Sequence, residues 1–190
     1  MDSLSRSSAG LVPMPSFMRA NNRRQRTRES VKTLHVMQIL RARPDDAAAL
    51  TEIAFAAKRH WGYPERWIVS WTRLLTVEPH LIARQPTFTA YIDGKRVGFY
   101  SLNRKSDAVC LEHLWVLPHF MRRGVGRALF LHAVEQLKAL GFQRLEIESD
   151  PNAAGFYEHM GARCVATSVS ELEGQLRELP VLLYENDPAA

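Results

Sequence analysis

Only two cysteines, Cys110 and Cys164, occur in 190 residues, which excludes a disulfide framework and leaves no ligand spacing for a metal. Both fall in apolar surroundings and are expected to be reduced, buried thiols of a cytoplasmic protein. No apolar run approaches the roughly 20 residues that span a bilayer, and residues 1–36 lack the continuous apolar segment of a secretory signal. No Gly-Lys pair is followed by Ser or Thr, and Gly-x-Gly-x-x-Gly does not occur. A Walker loop and a dinucleotide fingerprint are therefore both missing. Low-complexity tracts and internal repeats are absent too, so the length points to one globular domain.

Positive charge is plentiful but confined. Arg6, Arg19, Arg23, Arg24, Arg26, Arg28 and Lys32 face only Asp2 and Glu29 within residues 1–36, so this leader carries the whole net charge of +5. Residues 37–190 balance. A basic protein would ordinarily suggest nucleic acid, but here the folded part is neutral by count. The leader mixes Ser, Pro, Asn and Arg without a period and is expected to be disordered. Three readings compete for it: a start set too early, with Met37 the true one, is preferred; a transit peptide comes next; a nucleic-acid-binding arm ranks last.

From Met37 the pattern becomes regular. A short strand at 37–42 precedes a helix opened by Pro44-Asp45-Asp46, whose buried stripe is Leu50, Ile53, Ala54 and Ala57. It closes near Trp61-Gly62. A second helix is expected over 64–75, with Trp67, Trp71, Leu74 and Leu75 on one side. Strands at 87–92 and 96–103 flank Asp93-Gly94, a type I′ hairpin signal, and 108–116 adds a third antiparallel strand. A helix with Val125, Leu129, Ala133 and Leu137 at i+4 spacing follows and ends at Gly141. Strand 143–149 should then run parallel to 108–116 through a right-handed crossover. A short helix at 151–160 and strands at 162–168 and 179–184 complete an α+β domain with a mixed sheet of six to seven strands and about four helices.

Between strand 108–116 and its helix lies Arg122-Arg123-Gly124-Val125-Gly126-Arg127. The first amides of a helix have no intrahelical acceptor and sit at the positive end of its dipole, so a strand, a glycine turn and a helix make an anion site. Gly-x-Gly alone is equally often a plain turn.

Its setting adds more, because the chain from Met37 onward resembles the GCN5-related N-acetyltransferase (GNAT) superfamily in three places. Gly124 and Gly126 match the acetyl-CoA pyrophosphate motif, Arg/Gln-x-x-Gly-x-Gly/Ala, with Met121 standing where Arg or Gln is usual. The segment from Ser149 to Ala162, with Asn152 and Tyr157, looks like the second signature, whose Asn and Tyr flank the cofactor thiol. His60-Trp61-Gly62-Tyr63 resembles a segment of one bacterial subgroup. The resemblance implies domain boundaries at 37–190, a central parallel pair splayed at the cofactor site, and acetyl-CoA as cofactor. It places cofactor contacts at Leu114, Trp115, Val116, Arg122, Arg123, Gly124, Val125, Gly126, Arg127, Ala128, Asn152 and Tyr157. Arg122 and Arg123 could compensate for Met121.

Acetyl transfer to an amine requires that the amine lose a proton, the carbonyl oxygen be stabilised and the leaving thiolate be protonated. Tyr157, at the family's Tyr position, is the expected acid; packing of its ring in the core is the competing reading. For the base, Glu112 shares a strand face with Leu114 and Val116 and would have a raised pKa in a partly dry cleft. Glu148, on a line with Glu146 and Asp150, ranks second, as base or as contact to the substrate ammonium, and His113 third. His60, Trp61 and Tyr63 fall where acceptors enter in this fold, with helix capping as the equal alternative. Cys164 as an acetyl carrier is formally open, but a strand cysteine is expected to be inert.

These residues point to an N-acetyltransferase moving acetyl from acetyl-CoA to a primary amine by direct attack in a ternary complex. The alternative is a non-catalytic acyl-CoA-binding sensor or partner module. The acids near the cleft favour a cationic amine, as in a small metabolite, an antibiotic or a peptide terminus. Exposed strands near the C-terminus are compatible with a homodimer.

Overall fold

The computed structural model describes residues 36–186; the leader, apart from Val36, lies outside them. Strands β1 (Met37–Arg41), β2 (Thr87–Ile92), β3 (Lys95–Arg104), β4 (Val109–Val116), β5 (Arg144–Glu148), β6 (Arg163–Leu172) and β7 (Gln175–Glu185) form one sheet in the order β1-β2-β3-β4-β5-β7-β6. The helices are α1 (Ala47–His60), α2 (Glu65–Ser70), α3 (Thr72–Leu75), α4 (Pro79–Arg84), α5 (Val125–Ala139) and α6 (Ala154–His159). No helix among the described residues is long and apolar enough to cross a membrane.

Each face of the sheet has its own core. Leu129, Phe130, Ala133 and Leu137 of α5 and Tyr157 of α6 pack on Tyr100, Val109, Leu145 and Leu182. On the other face Leu50, Ile53 and Ala54 of α1 pack with Ile68, Trp71, Leu75, Ile82 and Phe99. Alternation along the strands feeds both layers: Phe99 turns to α1, while its neighbour Tyr100 turns to α5.

The β2–β3 hairpin has the expected turn, with Asp93 at φ 50° and Gly94 at φ 74°. Glu173 (φ 51°) and Gly174 (φ 75°) repeat that geometry in the tight β6–β7 hairpin, where Leu172 faces Gln175. The expected separate strands at 162–168 and 179–184 are thus longer and joined by two residues. The second expected helix also divides: α2 ends and α3 begins at Trp71 (φ −87°, ψ 5°). Leu74, expected on the buried side, is 69% exposed while Leu75 is 3% exposed, because the break rotates the last turn. Helix α4 was not anticipated by the pattern.

β4 and β5 are parallel, as the crossover rule requires, but they pair only through Val109↔Leu145 and Cys110↔Glu146. Beyond those two rungs the strands part. β4 stays paired with β3 as far as Val116, and β5 stays paired with β7, so the opening runs through the middle of the sheet. At the edge, β6 exposes Val165 and Val169. Cys164 is exposed there as well, against the expectation of two buried thiols, because no layer covers that end of the edge strand; Cys110 is half-buried with its thiol 3.3 Å from Glu146 Oε2.

Candidate active site

α5 begins at the rim of the opening. Its N-cap, Gly124, has φ 81° and ψ −5°, a left-handed geometry that costs an ordinary L-residue strain. The first intrahelical bond runs from the Ala128 N–H to the Gly124 carbonyl (2.9 Å), so the amides of Val125, Gly126 and Arg127 have no acceptor within the helix. Arg122, itself at φ 58°, and Arg123 and Arg127 are all exposed around these amides. Met121 packs its side chain on the α5 core instead of reaching into the loop, so positive charge near the amides comes from the three arginines. A Cβ at Gly126 would lie 3.5 Å from the Phe156 ring, an ordinary contact.

At the inner end of the opening, Glu112 sits on a β-bulge: Ser101 faces His113 and Leu102 faces Leu111, which leaves Glu112 without a partner on β3. The bulge corrects the expected alternation. Leu114 and Val116 turn toward α5, whereas Glu112 accepts a hydrogen bond from Asn103 Nδ2 (3.1 Å) and shares the face of Cys110 and Glu146, the face of α1. Glu112 is exposed rather than enclosed in a dry cleft. His113 is half-buried, and its Nδ1 accepts from Trp115 Nε1 (3.1 Å); desolvation lowers its pKa.

Tyr157 is buried against Phe130 and Phe156, with ring centroids 6.0 and 5.0 Å away. Burial, and then the charge of Asp150, push its phenol well above the ordinary value. Among the described residues that hydroxyl makes no hydrogen bond.

Asp150, at the end of β5, is where several elements meet. It is ion-paired with Lys58 of α1 and accepts from the Tyr63 hydroxyl (2.9 Å), Asn152 Nδ2 (3.0 Å) and the Asn152 N–H (3.0 Å). Burial alone would raise its pKa, but the Lys58 pair and these donors prevail and hold it below the usual carboxylate range. Around Lys58 stand aromatic rings: its Nζ is 4.4 Å from the Trp71 centroid and 4.8 Å from that of Tyr63. Arg177 of β7 covers the same rings, its Cζ 4.6 Å from Trp71, 5.5 Å from Tyr63 and 5.8 Å from Trp67. The hairpin tip is fastened above them, since Glu173 accepts from Arg66 Nε (2.8 Å) and Trp67 Nε1 (2.9 Å).

Of the residues singled out in the sequence, Tyr63, Asn152 and Tyr157 converge here with Asp150. His60 and Trp61 meet at a tilt, with centroids 5.5 Å apart, on the exposed end of α1, outside the cluster. Glu148 is exposed beside the opening. The line of acids is less negative than its sequence implied, because Glu146 pairs with Lys105 (2.9 Å) and Asp150 with Lys58. Lys58 was overlooked although it falls at i+4 from Ala54 on the buried stripe of α1. Trp67 and Trp71 stand in the sequence only as one side of the expected second helix, and nothing around Arg177 marks it.

A sheet that opens at its centre beside a bare, arginine-rimmed helix N-terminus has room for a long ligand with an anionic head, which is the form of coenzyme A. That architecture is the one the resemblance implies for an acyl-CoA-dependent transferase. Residues 48–162 match the model of the Acetyltransferase (GNAT) family, and the chain belongs to that family, with acetyl-CoA as its cosubstrate. Solved structures agree on the fold. The PaiA N-acetyltransferase of Thermoplasma acidophilum, in complex with coenzyme A, is 21% identical with a TM-score of 0.63 over 80% of this chain and 99% of its own. The ribosomal-protein-S18-alanine N-acetyltransferase of Escherichia coli is 21% identical with a TM-score of 0.59, over 79% and 94%. Salmonella typhimurium yncA, with its cofactor acetyl-CoA, is 19% identical with a TM-score of 0.60, over 82% and 96%. Among curated proteins, none matches.

Proposed function

We propose that this protein transfers the acetyl group of acetyl-CoA to a primary amine by direct attack within a ternary complex. The observation that carries the reading is Tyr157, whose ring is held in the core on the α5 face, whose hydroxyl makes no hydrogen bond among the described residues, and which lies within electrostatic reach of Asp150. When bound, acetyl-CoA supplies a thioester carbonyl as the electrophile and a thiolate as the leaving group. The free amides of Val125, Gly126 and Arg127, with Arg122, Arg123 and Arg127, suit the pyrophosphate. Leu114, Trp115 and Val116 offer the unpaired edge of β4 to the pantetheine arm and to the thioester oxygen, with Ala128 and Asn152 at the two helix starts. Tyr157 keeps its proton through the neutral range and holds it for the leaving sulfur. Glu112, turned by its bulge to the α1 face, takes the amine proton through water, and Glu148 is the competing base. Tyr63 borders the acceptor; His60 and Trp61 lie at its outer rim.

A panel of primary amines incubated with acetyl-CoA, with free thiol followed over time, tests this. Acceptor-dependent thiol release is expected; saturable acetyl-CoA binding without transfer to any amine would overturn it.

A further inference from the structure

Lys58 and Arg177 approach the same Trp71 and Tyr63 rings, yet a single carboxylate, Asp150, serves the pair. Lys58 is committed to it. Arg177 is half-buried on the aromatic bowl and, among the described residues, pairs with no carboxylate. Glu173, at the tip of its own hairpin, is taken by Arg66 and Trp67. Two cations and one anion leave one unit of positive charge in a semi-enclosed site; burial lowers the Lys58 pKa there, and the charge of Arg177 adds a smaller push in the same direction. A guanidinium seated over rings has its position constrained; Arg177 also reaches the Tyr63 hydroxyl, and the rest of its N–H fork, without a carboxylate among the described residues, suits a planar anion.

The same rings tie this cation to the chemistry. Tyr63 carries Arg177 on its face and donates its hydroxyl to Asp150, which in turn lies within electrostatic reach of Tyr157. An acceptor amine presented to the thioester would have any neighbouring carboxylate on the side of Arg177. We infer that Arg177, seated on Tyr63, Trp67 and Trp71, anchors a carboxylate of the acceptor, so that the acceptor is an amine of the amino-acid class and not a polyamine. This rests on the proposed amine acetylation and narrows it.

The test compares L-amino acids with their carboxamides and their decarboxylated amines as acceptors, for the natural protein, Arg177→Gln and Arg177→Lys. The natural protein is expected to favour the free acids by about 30-fold in kcat/KM, and Arg177→Gln to erase that preference by raising KM for the acids alone. Arg177→Lys keeps the charge without the fork and should retain part of it. A thermal shift with acetyl-CoA confirms that each variant is folded. Equal use of acids and carboxamides by the natural protein, or an equal loss on both in Arg177→Gln, overturns the inference and leaves amine acetylation standing. Cofactor binding with no amine of any kind acetylated overturns both.

Discussion

Lys58 and Asp150, 92 residues apart in the chain, form a buried ion pair that ties the end of α1 to the end of β5. Each holds the other in a place that would otherwise exclude its charge. Removing one partner leaves an uncompensated ion, so Asp150→Asn is expected to cost about 3 kcal/mol in urea unfolding, while Lys58→Met combined with Asp150→Leu recovers much of the loss. The pH dependence has a definite sign. Because the folded state holds Asp150 below its ordinary pKa, its contribution is complete above about pH 4 and is lost as pH falls through the lower folded-state value. Asp150→Asn should flatten that acid limb.

Tyr157→Phe preserves the ring packing and deletes only the proton. Turnover is expected to fall on the order of 100-fold with the acetyl-CoA dissociation constant unchanged, as measured by calorimetry and steady-state rates. Since burial pushes the phenol up, the natural protein should show no loss of this acid up to about pH 10. An unchanged kcat in the Phe variant removes Tyr157 from the chemistry.

Glu112→Gln separates the two candidate bases. A decrease of about 100-fold in kcat/KM is expected for Glu112→Gln and not for Glu148→Gln; the reverse pattern moves the base to β5.

Gly124→Ala puts a Cβ on a left-handed N-cap, where there is open space but the wrong backbone preference. Stability should drop by about 1 kcal/mol, with weaker acetyl-CoA binding in the same thermal-shift series, and Gly124→Asn should be milder because Asn tolerates that region.

Much of this molecule was legible in its sequence where the signal is local. The Asp93-Gly94 turn, the stripe of α5 and the glycine N-cap each follow from a few neighbouring residues, and the parallel β4–β5 pair follows from a crossover rule. Residues that act across the fold were harder to see. Glu112 was assigned a face by strict alternation, which a single bulge reverses. Glu173-Gly174 makes a type I′ turn without the Asn or Asp that usually signals one. Arg177 acquires its partners only because the β6–β7 hairpin is long enough to bend over α2, and no spacing in the chain encodes that reach. Lys58 left a trace: a lysine on an apolar stripe requires a buried counter-ion, and Asp150 was already in a line of acids.

The two rungs between β4 and β5 have a mechanical consequence. Four strands lie on one side of the opening and three on the other, so direct sheet bonding between the halves is concentrated at Val109, Cys110, Leu145 and Glu146, with α5 spanning the gap. A ligand whose amides bond to the free edge of β4 would serve as a partial extra strand. Hydrogen exchange at Leu114 to Val116 should therefore slow when acetyl-CoA is added, and cooperativity of unfolding should increase with it. The cosubstrate would then be part of the sheet's structure as well as a reactant.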